Sequence, residues 1–300
     1  MNLVIFGLGY SAGWFARTRA EKLTTTATTT TPEKARALTR ENLDVLVFSP
    51  DARDPRIEPA IAGADAALVS IGPDEAGDPA FNVYGGALSR ATNLRTIVYL
   101  STIGVYGDYG GAWIDEGAEC RPSNARSQWR LRVEDQWRAF GEAAGKQVHI
   151  LRLAGIYGPG QNALVNLRNG VARRIVKPGQ VFNRIHVEDI ANAIDACLAS
   201  QGPGRVWNIA DNEPAPADEV IAHAAALLGV DPPPEIDFAT ADLTPMARSF
   251  YSECKRVRND SMRVALGVRL AYPTYREGLR ACLDLGDGVF ASPSSPWISV

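Results

Sequence analysis

The sequence predicts an α/β fold built on a doubly wound parallel sheet, and three observations carry that expectation. The chain opens Asn2-Leu3-Val4-Ile5-Phe6-Gly7-Leu8-Gly9-Tyr10-Ser11-Ala12-Gly13, an apolar run that meets two glycines and then small residues able to start a helix. Apolar segments at 43–48, 66–71, 96–100, 147–153 and 205–210 recur between helix-compatible stretches. Strands that are apolar along their whole length and alternate with helices belong to a parallel sheet covered on both faces. Third, the second half changes character, with a loop-rich stretch over 154–184 and the interruption Pro232-Pro233-Pro234. The expected organisation is a dinucleotide-binding Rossmann domain over 1–160, rejoined by 185–212, and a smaller, loop- and helix-rich C-terminal substrate domain over 161–300.

Each element has its own justification. After the glycine turn, 14–23 reads as a helix. The threonine-rich stretch 24–31 follows, and because threonine is β-branched and the spacing demands a strand, it reads as the second strand. Helices are expected at 32–39, 57–62, 81–94, 187–200 and within 214–229, with Ala217 to Glu219 at the start of the last. The helix after Pro122 carries Trp129, Val133, Trp137 and Phe140 as an apolar stripe. The polar stretch 243–266 reads as helical. From Gly286 on the chain has no periodicity and reads as a tail, with Trp297 and Ile298 free to dock on the surface.

Composition narrows the function. A net charge of −3 without a basic stripe argues against nucleic acid. No apolar run reaches the ~18 residues of a membrane span, so no membrane partner is expected. Cys120, Cys197, Cys254 and Cys282 are widely spaced, and His149, His186 and His223 are scattered, so neither a disulfide framework nor a metal site is expected. A cytoplasmic protein acting on a small molecule follows, with room for a homodimer.

The opening turn is the physical recipe for a dinucleotide diphosphate. Gly7 makes the tight turn, Gly9 lets backbone N–H groups approach the phosphates, Ala12 or Gly13 lets the helix pack near the strand, and the helix N-terminus offers free N–H groups through Tyr10, Ser11 and Ala12. An NAD site places Asp or Glu ~20 residues further on for the ribose hydroxyl. Here the region holds Thr29, Thr30, Thr31, Lys34 and Arg36, with no acid before Glu33. The missing carboxylate tips the choice between NAD and NADP slightly towards NADP. Ligands of such sheets sit beyond the carboxyl ends of the strands, which adds Ser70, Ile71, Gly72, Ser101, Ala154 and Ile156 to the cofactor candidates.

Three further segments stand where chemistry is expected: Ser101-Thr102-Ile103-Gly104-Val105-Tyr106-Gly107, Arg152-Leu153-Ala154-Gly155-Ile156-Tyr157-Gly158-Pro159-Gly160 and Arg184-Ile185-His186-Val187-Glu188-Asp189-Ile190-Ala191. With the opening turn and the closing Tyr272-Pro273-Thr274-Tyr275-Arg276-Glu277-Gly278-Leu279, the chain resembles the extended or atypical branch of the short-chain dehydrogenase/reductase superfamily. It is similar to the NAD-dependent epimerase/dehydratase group over about 1–212.

The resemblance implies a Ser/Thr, Tyr and Lys set, the last two as Y-x-x-x-K on one helix, with the tyrosine as general acid/base. Thr102 falls at the Ser/Thr position. At the Tyr and Lys positions the chain instead has Arg126 and Arg130. Arginine stays protonated, so it cannot exchange a proton with a substrate hydroxyl. Tyr106, Tyr157 and His186 are the available replacements, each with the alternative of a packed or hydrogen-bonded ring. Arg126 and Arg130 share a helix face and read either as a clamp on an anion, with Arg184 reaching the same group, or as a solvated face with Arg130 paired to Glu134. Asn183 and Arg248 read as structural. The expected function is an NAD(P)-dependent oxidoreductase or epimerase-like enzyme for an anionic carbonyl, alcohol or nucleotide-sugar-like substrate. The alternative is a non-catalytic NAD(P)-binding sensor or regulatory protein.

Overall fold

A computed structural model describes residues 1–40 and 42–287. In chain order its elements are β1 (Asn2–Phe6), α1 (Tyr10–Thr18), β2 (Thr24–Thr29), α2 (Pro32–Leu38), β3 (Leu43–Val47), α3 (Ile57–Ala62), β4 (Ala66–Val69), α4 (Pro79–Arg90), β5 (Thr96–Thr102) and β6 (Trp113–Ile114). Then come α5 (Ala125–Ala144), β7 (Gln147–Leu153), β8 (Gly155–Tyr157), α6 (Ala163–Arg168), β9 (Arg174–Val176), β10 (Arg184–His186), α7 (Val187–Ala199) and β11 (Val206–Ile209). The last are α8 (Ala217–Leu228), β12 (Glu235–Asp237), α9 (Pro245–Ser249), β13 (Arg256–Val257) and α10 (Tyr275–Cys282).

Seven strands form one parallel sheet in the order β11-β7-β5-β4-β1-β2-β3. The order reverses between β1 and β4, and the crevice beyond the strand ends there is where such sheets bind ligands. Successive side chains of a strand point to opposite faces, and both faces are dry. Leu3 and Ile5 join one core with Phe15, Ile190 and Ile194, while Val4 and Phe6 join another with Ile57, Tyr84 and Trp137. A third cluster, with Tyr157, Leu164, Tyr275, Leu279 and Cys282, lies among β8, α6, α8 and α10.

The doubly wound sheet agrees with the sequence expectation, while several local boundaries differ, α1 ending at Thr18 rather than at 23 and α4 at Arg90 rather than at 94 among them. Helix α1 begins at Tyr10 rather than at residue 14, because the glycine turn is itself the helix start: Gly9 O accepts Gly13 N–H at 2.7 Å. Helix α4 begins earlier than expected because Asp78 caps it, accepting from Ala80 and Phe81 N–H at 2.8 and 3.1 Å, with Pro79 at the first position. Strand β5 runs on through Ser101 and Thr102. The stretch 243–266 is not one helix. It holds the five-residue α9, then β13, then a wide turn at Ser261–Ala265.

That last stretch bonds along its backbone to another loop instead of coiling on itself. Tyr109 and Gly111 N–H donate to Cys254 O at 3.0 and 2.9 Å, and Arg256 N–H donates to Ala112 O at 2.9 Å. Buried Lys255 donates to Gly107 O at 2.6 Å and to Glu253 at 2.7 Å. The tail expectation for Trp297 and Ile298 lies outside the described residues.

Candidate functional site

The opening glycines do two different jobs. Gly7 has φ +89°, the left-handed region, and its N–H donates to Thr28 Oγ1 at 2.9 Å. A Cβ on Gly7 would lie 2.7 Å from Ile71 Cγ1 and 3.1 Å from Ile71 N. Only glycine therefore lets the end of β1 touch the chain leaving β4. Gly9, by contrast, precedes α1 with no side-chain cap, and a Cβ built there meets nothing within 4 Å. The helix start thus faces open space with its first N–H groups free of a side-chain cap, in the arrangement a diphosphate needs. Ala12 is fully buried behind it, and Ser11 is nearly so. The Tyr10 side chain turns away, donating to Pro159 O at 3.0 Å. A dinucleotide fits these residues.

At the end of β2, Thr30 and Lys34 are exposed and Thr29 is half-buried. Thr31 caps α2 by accepting from Lys34 N–H at 3.3 Å, and Glu33 pairs with Arg36 at 3.3 Å. Ser70, Ile71 and Gly72 follow directly on the carboxyl end of β4, where Ser70 N–H donates to Phe6 O at 2.9 Å.

Across the crevice, at the end of β5, Thr102 Oγ1 accepts from Gly104 N–H at 3.0 Å, leaving its own hydrogen free to donate. A Cβ on Gly104 would lie 3.4 Å from that oxygen and 2.9 Å from Ser127 Oγ. Ser127, in the first turn of α5, thus stands beside Thr102 because Gly104 has no side chain. Sequence reasoning passed over it, since a serine between two arginines signals nothing by itself. Arg130 turns inward, donating from Nη1 to Leu100 O at 2.9 Å and to Tyr99 Oη at 3.1 Å, with Nη2 3.7 Å from where a Gly72 Cβ would stand. Arg126 is exposed. Glu134 is not the partner of Arg130. It is fully buried, takes a bond from Ser101 Oγ and receives Arg152 Nη2 at 2.7 Å and Nε at 3.1 Å. Ser101 is therefore occupied in holding α5 to the sheet. Ala154, at the end of β7, is buried and Ile156 half-buried.

The three groups suggested as replacements for the missing tyrosine are all engaged elsewhere. Tyr106 is fully buried, donates to Asn208 Oδ1 at 2.7 Å and carries Arg152 4.7 Å from its ring centre. Burial pushes its hydroxyl up to about 12. Tyr157 packs in the third core against Gly278, where a Cβ would come within 2.1 Å of its oxygen, and burial raises its pKa as well. His186 caps α7, its Nδ1 accepting from Glu188 N–H at 3.1 Å, between the rings of Tyr157 and Tyr272. Arg184 is also spent locally, donating to Phe182 O and Ala215 O, both at 2.9 Å. Asn183 and Arg248 bond to backbone, Asn183 at Lys255 O and Val257 N–H and Arg248 at Ala241 O. The structure thus gathers Gly7, Gly9, Ile71, Gly72, Thr102 and Arg130 round the crevice, and places Tyr157, Arg184 and His186 in or beside the third core.

Two buried histidines give the fold a pH dependence. Burial lowers both His149 and His186 to about 4, and His149 Nδ1 accepts the Trp207 indole N–H at 3.1 Å. The unfolded chain takes up these protons near the ordinary value of 6.5, so stability is full above that pH and falls as pH drops towards 4. Asp211, raised by burial to about 7, opposes this, because between 3.8 and 7 the folded state holds its proton more tightly. His149→Leu is therefore expected to flatten the slope of unfolding free energy against pH between 6.5 and 4 relative to the parent, read by urea titrations. An unchanged slope would contradict the assignment.

An open groove between α4 and α5, lined by Phe81, Gly85, Ser89, Phe140 and Ala143, carries none of these residues. No group of metal ligands occurs among the described residues, and no helix among them is long and apolar enough to cross a membrane.

Comparisons with known proteins bear on the fold and the family. The NAD dependent epimerase/dehydratase family profile matches residues 86–210. A solved protein from Silicibacter pomeroyi DSS, described as functionally unknown and conserved, is 44% identical, with a TM-score of 0.87 over 95% of this chain and 99% of its own. UDP-glucuronic acid 4-epimerase from Bacillus cereus, solved with UDP-glucuronic acid and NAD, is 14% identical. Its TM-score of 0.74 over 95% of this chain and 98% of its own shows a shared fold. A 3-diazoavenalumate denitrifying reductase from a Streptomyces species is 27% identical over 209 residues, 64% of this chain. The matched region spans 66% of that reductase, just under two thirds of its length.

Proposed function

This chain belongs to the NAD-dependent epimerase/dehydratase family of extended short-chain dehydrogenases/reductases, and from that premise we propose that it is an NAD(P)-dependent oxidoreductase for a small anionic carbonyl or alcohol, nucleotide sugars included. The observation that carries the reading is the uncapped start of α1 beside Gly9, facing open space at the point where the strand order reverses. The backbone N–H groups of Tyr10, Ser11 and Ala12 hold the diphosphate. Thr29, Thr30 and Lys34 attend the adenosine ribose, and Ser70 to Gly72 form the floor. When bound, the coenzyme supplies a hydride donor or acceptor.

Substrate activation falls to the groups at the end of β5. The Thr102 hydroxyl donates to the substrate oxygen and Ser127 stands ready beside it. Both are neutral donors, which polarise a carbonyl without changing their own charge. Arg130 supplies a fixed cation, and exposed Arg126 meets the substrate's anionic end. Proton exchange passes to solvent through the hydroxyls, since no tyrosine–lysine pair serves. A screen of aldehydes, ketones and UDP-sugars with NADPH or NADH tests the reading, and turnover reduced by Thr102→Ala is the expected result. The engagement of Tyr106, Tyr157 and His186 favours a second reading, a coenzyme-binding sensor. Tight coenzyme binding with no turnover across the screen would select it.

NADP is the coenzyme this reading prefers. Among the described residues no carboxylate follows directly on the end of β2 to repel a 2′-phosphate, Glu33 is paired with Arg36, and exposed Lys34 is on hand. NADPH is expected to bind roughly tenfold more tightly than NADH, about 1.4 kcal/mol, and Lys34→Ala to narrow the gap. Calorimetric titration with both coenzymes checks it. Tighter NADH binding would reverse the assignment.

A further inference from the structure

We infer that Asp287 and Tyr10 are positioning residues for the coenzyme, with the segment after α10 latching the 158–161 turn and that turn bracing the first residue of α1. The inference rests on the coenzyme reading above and adds a remote contact on which affinity depends. Tyr10 has two roles. Its backbone N–H is one of the three assigned to the diphosphate, while its hydroxyl donates to Pro159 O at 3.0 Å. Gly158 makes that reach possible, since a Cβ there would lie 2.7 Å from Tyr10 Oη and 2.6 Å from Val187 Cγ1. The turn closes on itself, Gly158 N–H donating to Gln161 O at 3.1 Å and Gln161 N–H to Gly158 O at 3.0 Å.

The far side of the same turn is held by Asp287. Its carboxylate takes Gly160 N–H at 3.1 Å on Oδ1 and 2.9 Å on Oδ2, and Asn162 Nδ2–H at 2.6 Å on Oδ2. Asn162 Nδ2 also donates to Gly158 O at 2.8 Å, and its Oδ1 caps α6 at Leu164 and Val165 N–H. Hydrogen bonds to an ionised acceptor are roughly twice as strong as neutral ones. Little else holds the segment 283–287. None of its residues is buried, Leu285 is 68% exposed, and Gly286 turns the chain at φ +100°. Leu283 packs at the edge of the third core.

A segment with few buried contacts opens at low free energy, so the Asp287 bonds decide whether the latch is shut. When they are made, Gly160 and Asn162 are fixed, Pro159 O is presented to Tyr10, and the first turn of α1 is set. The rest of that helix does not need the latch. Trp14 donates to Glu188 at 2.6 Å and Arg19 donates to it at 2.9 Å, which ties the later turns to α7. The dependence is thus confined to the end of α1 that carries the free N–H groups. Donors already in place bind an anion more tightly than donors that binding must order. Linkage makes the effect mutual: coenzyme on α1 shuts the latch by the same factor by which the shut latch tightens coenzyme.

The test needs no substrate. Dissociation constants for NADPH, NADH and ADP are measured by calorimetry for the parent, Asp287→Asn, Tyr10→Phe and the double variant. Asp287→Asn removes the charge and leaves one acceptor for two donors. Each single change is expected to weaken all three ligands by about fivefold, the low end of measured couplings, and the double change to add nothing further. Parent affinity in Asp287→Asn overturns the inference, and so does a double variant whose loss is the product of the single losses. Hydrogen exchange needs the parent alone. Saturating NADPH is expected to slow exchange across 283–287, and unchanged exchange there overturns the inference as well. ADP and both coenzymes failing to bind the parent would instead remove the coenzyme reading itself, and this inference with it.

Discussion

Gly9→Asp is expected to abolish coenzyme binding while leaving the fold as stable as before or more so. The two effects have opposite signs for separate reasons. The φ at Gly9 is −86°, which any residue adopts, and a Cβ there meets nothing within 4 Å. Aspartate is also a preferred residue at a helix start, worth about 1 kcal/mol where its oxygen accepts from the first turn. The same carboxylate, however, occupies the diphosphate position. Two unit charges about 4 Å apart at an effective dielectric near 20 repel by about 4 kcal/mol, close to a thousandfold in affinity. Thermal melting without coenzyme and titration with NADPH read the two effects apart. Retained affinity would place the coenzyme elsewhere, and a collapsed melting temperature would show the turn to be structural.

Glu134→Ala is expected to be the most damaging single change to the fold, costing about 3–5 kcal/mol because it strands a buried guanidinium. Glu134 is fully buried, and Arg152 is almost so, donating to it from Nη2 at 2.7 Å and Nε at 3.1 Å. Ser101 and the Tyr106 ring complete the arrangement, which ties α5 to β5 and β7. Adding Arg152→Met to Glu134→Ala should restore much of the loss, since the isolated charge, rather than the absent attraction, is what costs most. Urea denaturation of both variants decides it. A loss below about 1 kcal/mol would be the behaviour of an exposed pair and would contradict the burial argument.

Much of the architecture was legible because it depends on short-range signals. The apolar runs gave the parallel strands, and the threonine stretch proved to be β2, where side-chain branching overrode its low-complexity look. The glycine turn marked the junction of β1 and α1. What the sequence hid depends on distant pairings. Glu134 sits four residues from Arg130, the spacing of a helix pair, yet bonds to Arg152 on the neighbouring strand. The stretch 243–266 has helix-compatible composition, but its backbone bonds to the 107–114 loop, and nothing local announces that. Tyr106 and Tyr157 follow strand ends as catalytic tyrosines would, and only the partners of their hydroxyls, Asn208 and Thr274 O, reveal packed rings. Thr28 and Ser127 were missed for the converse reason. Each stands where it does because a glycine elsewhere in the chain approaches it.

The central claim is that the carboxyl end of β1 and the start of α1 hold a pyridine dinucleotide. Calorimetric titration of the intact protein with NADPH and NADH tests it most directly. Saturable binding of one equivalent per chain, competed by ADP and lost in Gly9→Asp, is the predicted result. No heat of binding for either coenzyme at millimolar concentration would contradict it.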